Sequence, residues 1–226
     1  VRFGVGNVGR GLVVAALLTG VATGCGQTGQ DSEASSKASA KGAAKATAEV
    51  AARGGSVGAD GSACELPVTF DIAEFWKAEA VDSASREGDT GDELTDELAD
   101  ALLRQGPVTM ACEVDAKPAG KIGFLRVWTG EPGDADARAV LEDFVTAESG
   151  SSGATYRTFE AGGLTGAEVE YVTTSELLEE TKKERALAVT TPDGPVVLHL
   201  GGMDTEEHEA MLPAFELAKG TLKATA

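Results

Sequence analysis

Two histidines, three cysteines and 37 acidic residues are what this 226-residue chain offers for chemistry. His199 sits in the apolar run VVLHLGG and His208 in the acidic run TEEHEA. A zinc site needs three or four converging His, Cys or carboxylate ligands. His199, His208 and Glu207 would supply three, at a spacing that matches no motif. His199 therefore reads as a strand residue on a sheet face. His208 reads either as an imidazole whose pKa a nearby carboxylate raises or as an exposed surface histidine. The acids of DTGDELTDELAD lack the alternate-position pattern of a calcium-binding loop and read as a solvated helix face. No G-x-S-x-G elbow, C-x-x-C pair, phosphate-binding loop or dinucleotide fingerprint occurs, and GSSG misses the elbow spacing. Acids are so numerous that no pair stands out for glycoside chemistry. The chain is thus expected to be a non-enzyme, with no catalytic residue, no metal ligand and no cofactor.

Cysteine chemistry points elsewhere. Arg2 and Arg10 flank a stretch free of acids, and Gly11 to Ala22 form an apolar block of about a dozen residues, which is too short to span a membrane. Five glycines between Gly4 and Gly20 argue against a buried helix there. The block ends in Ala22-Thr23-Gly24-Cys25, which resembles a bacterial lipobox, with Ala22 standing where Leu or a β-branched residue is usual. Cys25 is accordingly expected to carry a thioether-linked diacylglycerol, a palmitate-type anchor, and to become the mature N-terminus. Two or more acyl chains hold a protein stably in a bilayer where one does not. Residues 1–24 are then a signal peptide. The leading Val1 is expected to be a GUG start read literally, in a GC-rich bacterium.

With Cys25 assigned to lipid, Cys64 and Cys112 remain as a pair in an oxidising compartment. A disulfide between them would close a loop of about 49 residues, worth about 4 kcal/mol in the chain-entropy model. The alternative is two separate buried thiols.

The elements that would position these residues begin after a tether. From residue 26 to 63 the chain is almost entirely Ala, Ser, Gly, Thr, Lys and Glu, too poor in apolar surface to offset its ordering entropy. As a flexible coil of about 38 residues it would reach roughly 35 Å. Residues 64–226 suffice for one domain with its own core. The formal charge of −18 falls by two more when the leader is removed. Such acidity excludes nucleic acid as a partner and disfavours anionic lipid surfaces.

Within the domain, CELPVTFDI alternates as a half-buried strand, with Phe75 and Trp76 packing at its end. Leu94, Leu98, Leu102 and Leu103 mark a helix between Asp89 and Gln105, stopped by Gly106-Pro107. Val108 to Asp115 and Ile122 to Thr129 read as a hairpin around AKPAGK. Asp134 to Glu148 reads as an amphipathic helix, and Ser149 to Gly153 as a loop. Strands are expected over Ala154 to Phe159, Thr165 to Thr173, Arg185 to Thr190 and Val196 to Leu200, the last two joined by the TPDGP turn. A final helix starts at Asp204, with Glu207 completing a capping box. It buries Met211, Leu212, Phe215, Ala218 and Leu222, and Pro213 should kink or restart it. The class is α+β, an antiparallel sheet covered by helices.

The segment RALAVTTPDGPVVLHLGGMDTEEHEAMLPAFELAKGTLKA, with LTGAEVEYVT before it and LPVTFDIAEFWKA near the front, resembles the actinobacterial LpqN/LpqT-like lipoproteins. Their domains are similar to the PsbP-like α/β/α sandwich. The resemblance implies a fold and a surface location and transfers no functional residue. The expected function is that of a lipoprotein on the extracytoplasmic face of the cell membrane, binding or modulating an envelope protein such as a sensor kinase, a transporter or wall-synthesis machinery. A carrier of a lipid or other apolar ligand is the alternative, and a weak hydrolase or metal binder using His199 and His208 a further one.

Overall fold

Strict alternation builds the centre of the domain. In β10 (Gly194–Gly202), Val196, Leu198 and Leu200 face one side of the sheet while Val197 and His199 face the other. All are buried, so helices or strands must cover both sides. The computed structural model describes residues 49–81 and 103–225, which lie in one compact unit, Ala46–Ala226.

In chain order the strands are β1 (Arg53–Val57), β2 (Val68–Ala73), β3 (Lys77–Ala80), β4 (Arg104–Gln105), β5 (Val108–Asp115), β6 (Gly123–Thr129), β7 (Ser151–Ala161), β8 (Leu164–Ser175), β9 (Glu180–Thr191), β10 and β11 (Lys223–Ala224). Among the described residues, eight strands form one antiparallel sheet in the order β3-β5-β6-β10-β9-β8-β7, with β4 paired to β5. A smaller sheet runs β1-β2-β11. The expected α+β class with an antiparallel sheet between helices is what the chain forms.

Helix α1 (Ala137–Ala147) starts at Asp136, whose carboxylate accepts from the Ala139 amide at 3.0 Å. Satisfying an orphan amide in this way is worth about 1 kcal/mol. It presses Val140, Leu141, Phe144 and Val145 onto Val169, Ala186, Ala188 and Val197. Helix α2 (Thr205–Thr221) covers the opposite face and buries Met211, Phe215 and Ala218 against Leu187, Leu198 and Leu200. Val57, Val68 and Phe70 of the small sheet join that second core. Cys64 and Cys112 are bonded, Cα atoms 5.9 Å apart, tying the segment before β2 to β5.

Several expectations are corrected. The tether does not reach residue 63, because β1 pairs with β2 from Arg53 to Val57 and Val57 is buried. That strand contributes backbone bonds rather than apolar bulk. Its follower Gly58 has φ of +104° and lies so near Val68 that a Cβ would sit 1.9 Å from the carbonyl oxygen. Arg104 and Gln105 are strand, not the end of a helix, and Gly106-Pro107 form the turn back into β5. Leu103 is helical and buried, while residues 89–102 of the expected helix, the expected signal peptide and Cys25 lie outside the described residues. Strand β7 begins at Ser151, inside the expected loop, through a bulge between Ser152 and Thr155. Phe75 is exposed, with φ of 67°, while Trp76 alone packs on the core. Pro213 leaves α2 as one continuous helix. Asp204 caps α2 as expected, accepting from the Glu207 amide at 2.8 Å, but the Glu207 carboxylate accepts from the Ile122 amide at 3.1 Å, joining α2 to the residue just before β6.

Candidate functional site

On the α1 face, β8, β9 and β10 bring polar groups together where α1 ends. Lys182, Glu184 and Ala186 project to that face from β9, and the register places Tyr171 of β8, Glu184 and Gly201 of β10 abreast. Gly201 has no side chain to fill this row. A Cβ there would meet Glu184 Oε2 at 3.3 Å and His199 Cε1 at 3.5 Å, so the glycine leaves space for both groups. Glu148, the C-cap of α1, enters from above.

The resulting cluster is compact. Glu184 Oε2 lies 3.3 Å from His199 Nε2, without the geometry of a hydrogen bond. The Tyr171 hydroxyl donates to Glu148 Oε2 and sits 3.1 Å from His199 Nε2. Lys182 Nζ contacts Glu184 Oε1 at 2.7 Å and donates to the Gly202 carbonyl at 3.1 Å. The His199 ring meets Phe144 edge-on and stacks on Tyr171, at centroid distances of 5.6 and 6.2 Å. Glu184 is only 1% exposed and His199 7%.

Electrostatics follow from this burial. Desolvation pushes Glu184 upward, but contacts with His199 and Lys182 outweigh it and hold the carboxyl below its usual range. Desolvation first, then the Glu148 carboxylate, keeps the Tyr171 hydroxyl protonated far beyond its ordinary range. Glu148, Glu184 and His199 offer ligand atoms all within 4.8 Å of one another, which is the arrangement that can hold a cation or share protons. They open on a cavity of about 560 Å³ also lined by Arg126, Lys182 and Met203.

His199 is thus a sheet-face residue as expected, inside a polar cluster. His208 is not exposed. It is 3% accessible, on the buried stripe of α2, and alternation along β10 puts it across the sheet from His199. Burial pushes its pKa down to about 4, against the pull of Glu184 and helped by His199 and Arg185. An activity that needs both histidines in one cleft is overturned. Glu148, Tyr171 and Glu184 were missed by sequence reasoning. A signal existed for one of them, since Glu184 occupies the buried phase of KKERALAV.

A second feature adjoins the first. The β8–β9 turn projects Leu177, 91% exposed, and Leu178, with Met203 and Ile122 also exposed and joined by a 2.9 Å bond from the Met203 amide to the Ile122 carbonyl. A cavity of about 670 Å³ behind the turn is lined by Glu148, Leu177, Leu178, Lys182 and Met203. No helix among the described residues is long and apolar enough to cross a membrane.

A family model described as an uncharacterised lipoprotein matches residues 34–222. No curated protein matches. Among solved structures, the solution structure of cyanobacterial PsbP (CyanoP) from Synechocystis sp. PCC 6803 is similar, with a TM-score of 0.43 and 11% identity, covering 70% of this chain and 86% of that one.

Proposed function

The chain belongs to this uncharacterised lipoprotein family, and on that premise we propose that it is a non-enzymatic, membrane-anchored lipoprotein whose domain binds an envelope protein. The resemblance of its sequence to the LpqN/LpqT-like lipoproteins supports this reading. Lipid on Cys25 holds it to the extracytoplasmic face of the cell membrane.

The observation that carries the partner-binding reading is the exposed Leu177–Leu178 tip beside Met203 and Ile122. Contiguous exposed apolar side chains in a domain with a filled core favour an interaction surface. Glu176, Glu179 and Glu180 flank the leucines and are exposed. Those acids would be repelled by an anionic bilayer, so the fitting occupant is a protein offering an apolar pocket with a basic rim. An apolar-ligand carrier is less favoured. The positions between sheet and helices are filled by Phe70, Phe144, Phe215 and Leu198, and the cavities beside them have charged linings.

Crosslinking in intact cells, followed by mass spectrometry of what is captured, tests this reading. Capture of a protein that Leu177→Asp with Leu178→Asp abolishes would support it. Capture of lipid alone would overturn it.

A further inference from the structure

We propose that Glu148, Glu184 and His199 form a binding site for one divalent cation of the zinc class. The inference is independent of the partner-binding reading, because it rests on the sheet face and not on the leucine tip.

The donor set is one imidazole nitrogen and two carboxylates, which suits a borderline cation such as Zn²⁺ better than the all-oxygen sets that Ca²⁺ and Mg²⁺ prefer. The geometry is already close. Two ligands about 2.0–2.1 Å from a tetrahedral metal stand roughly 3.3 Å apart, and His199 Nε2 and Glu184 Oε2 are 3.3 Å apart. Glu148, half-buried at the end of α1, completes the triangle with a ligand atom within 4.8 Å of the others, so a small inward movement of its side chain brings it to bonding distance.

A separate observation points to a ligand. Glu184 Oε2 is fully buried, has no hydrogen bond, and is aimed at His199. Buried carboxylate oxygens are normally satisfied, and one that is not needs an explanation. Its sister Oε1 is held by Lys182 at 2.7 Å, so the ammonium fixes the carboxylate and leaves Oε2 for the cation. Tyr171 does the same for Glu148 by donating to it. Ligating carboxylates are typically held by such outer hydrogen bonds. The cavity lined by all three ligands supplies access and a free coordination position for water or an anionic group.

Equilibrium dialysis with elemental analysis tests this on the full chain in detergent micelles, stripped with EDTA and titrated separately with Zn²⁺ and Ca²⁺. One equivalent of Zn²⁺ is expected to bind, more tightly than Ca²⁺. Glu184→Gln, His199→Gln and Glu148→Gln should each weaken it by at least about tenfold, whereas Glu142→Gln on the exposed side of α1 should not. Should the two buried substitutions unfold the domain, as circular dichroism would report, Glu148→Gln decides the matter alone. Absence of bound Zn²⁺, tighter Ca²⁺ binding, or Zn²⁺ retained undiminished by Glu148→Gln as on any acidic surface would each overturn the proposal.

Discussion

Arg185 Nε stands 2.5 Å from Glu168 Oε1 on the α2 face of the sheet, and both side chains are almost wholly buried. The guanidinium also reaches Glu216 at 3.4 Å and lies over the Phe215 ring, while Lys219 bridges Glu168 at 3.2 Å and Glu216 at 2.7 Å. Charges taken out of water here are compensated by each other, which makes the loss of one member costly.

Arg185→Met should destabilise the domain by about 3 kcal/mol, since it leaves Glu168 with Lys219 as its remaining cation. Adding Glu168→Leu should recover much of that loss. Urea unfolding of the single and double variants checks both outcomes.

Acid should weaken the fold through His208. Its folded pKa of about 4 lies below the ordinary 6.5, so the unfolded chain binds the extra proton first. Stability is complete above the unfolded value and is lost as pH falls toward the folded one, by roughly 2 kcal/mol at about pH 4.5. His208→Leu should flatten this part of the pH profile, as measured by denaturant midpoints at several pH values.

The disulfide spans 48 positions. Replacing Cys64 and Cys112 together by Ser should cost about 4 kcal/mol if loop entropy dominates. Thermal melts of both forms measure the cost, and the intact mass of unreduced protein should be two hydrogens below that of the reduced one.

Cys25→Ser should move the protein from the membrane fraction to the soluble fraction. Unchanged membrane retention after carbonate washing would remove the lipid anchor from the account.

What could be read in the sequence was local. The β5–β6 and β9–β10 hairpins declare themselves through period-two alternation broken by AKPAGK and TPDGP, and Asp204 announces α2 by its cap. Cys64 and Cys112 were paired by elimination, and the bond exists. What could not be read depended on distant partners. β1 contributes glycines and backbone bonds to β2, so its composition resembles that of the tether. Glu184 becomes a buried, partly unsatisfied carboxylate only because His199 arrives from β10 and Glu148 caps α1 above the sheet. His208 was hidden by its neighbours Glu206, Glu207 and Glu209. Its spacing of three and seven residues before Met211 and Phe215 places it on their stripe, and the acids on either side lie on other faces of the helix.

The central claim is that the Leu177–Leu178 tip is where an envelope protein docks. The most direct measurement places a photo-crosslinking residue at Leu177, or at exposed Asp193 in the turn at the opposite end of the sheet, and illuminates intact cells. A discrete protein adduct from Leu177 and none from Asp193 is the predicted result. Lipid adducts alone, or the same protein captured equally from both positions, would contradict the claim.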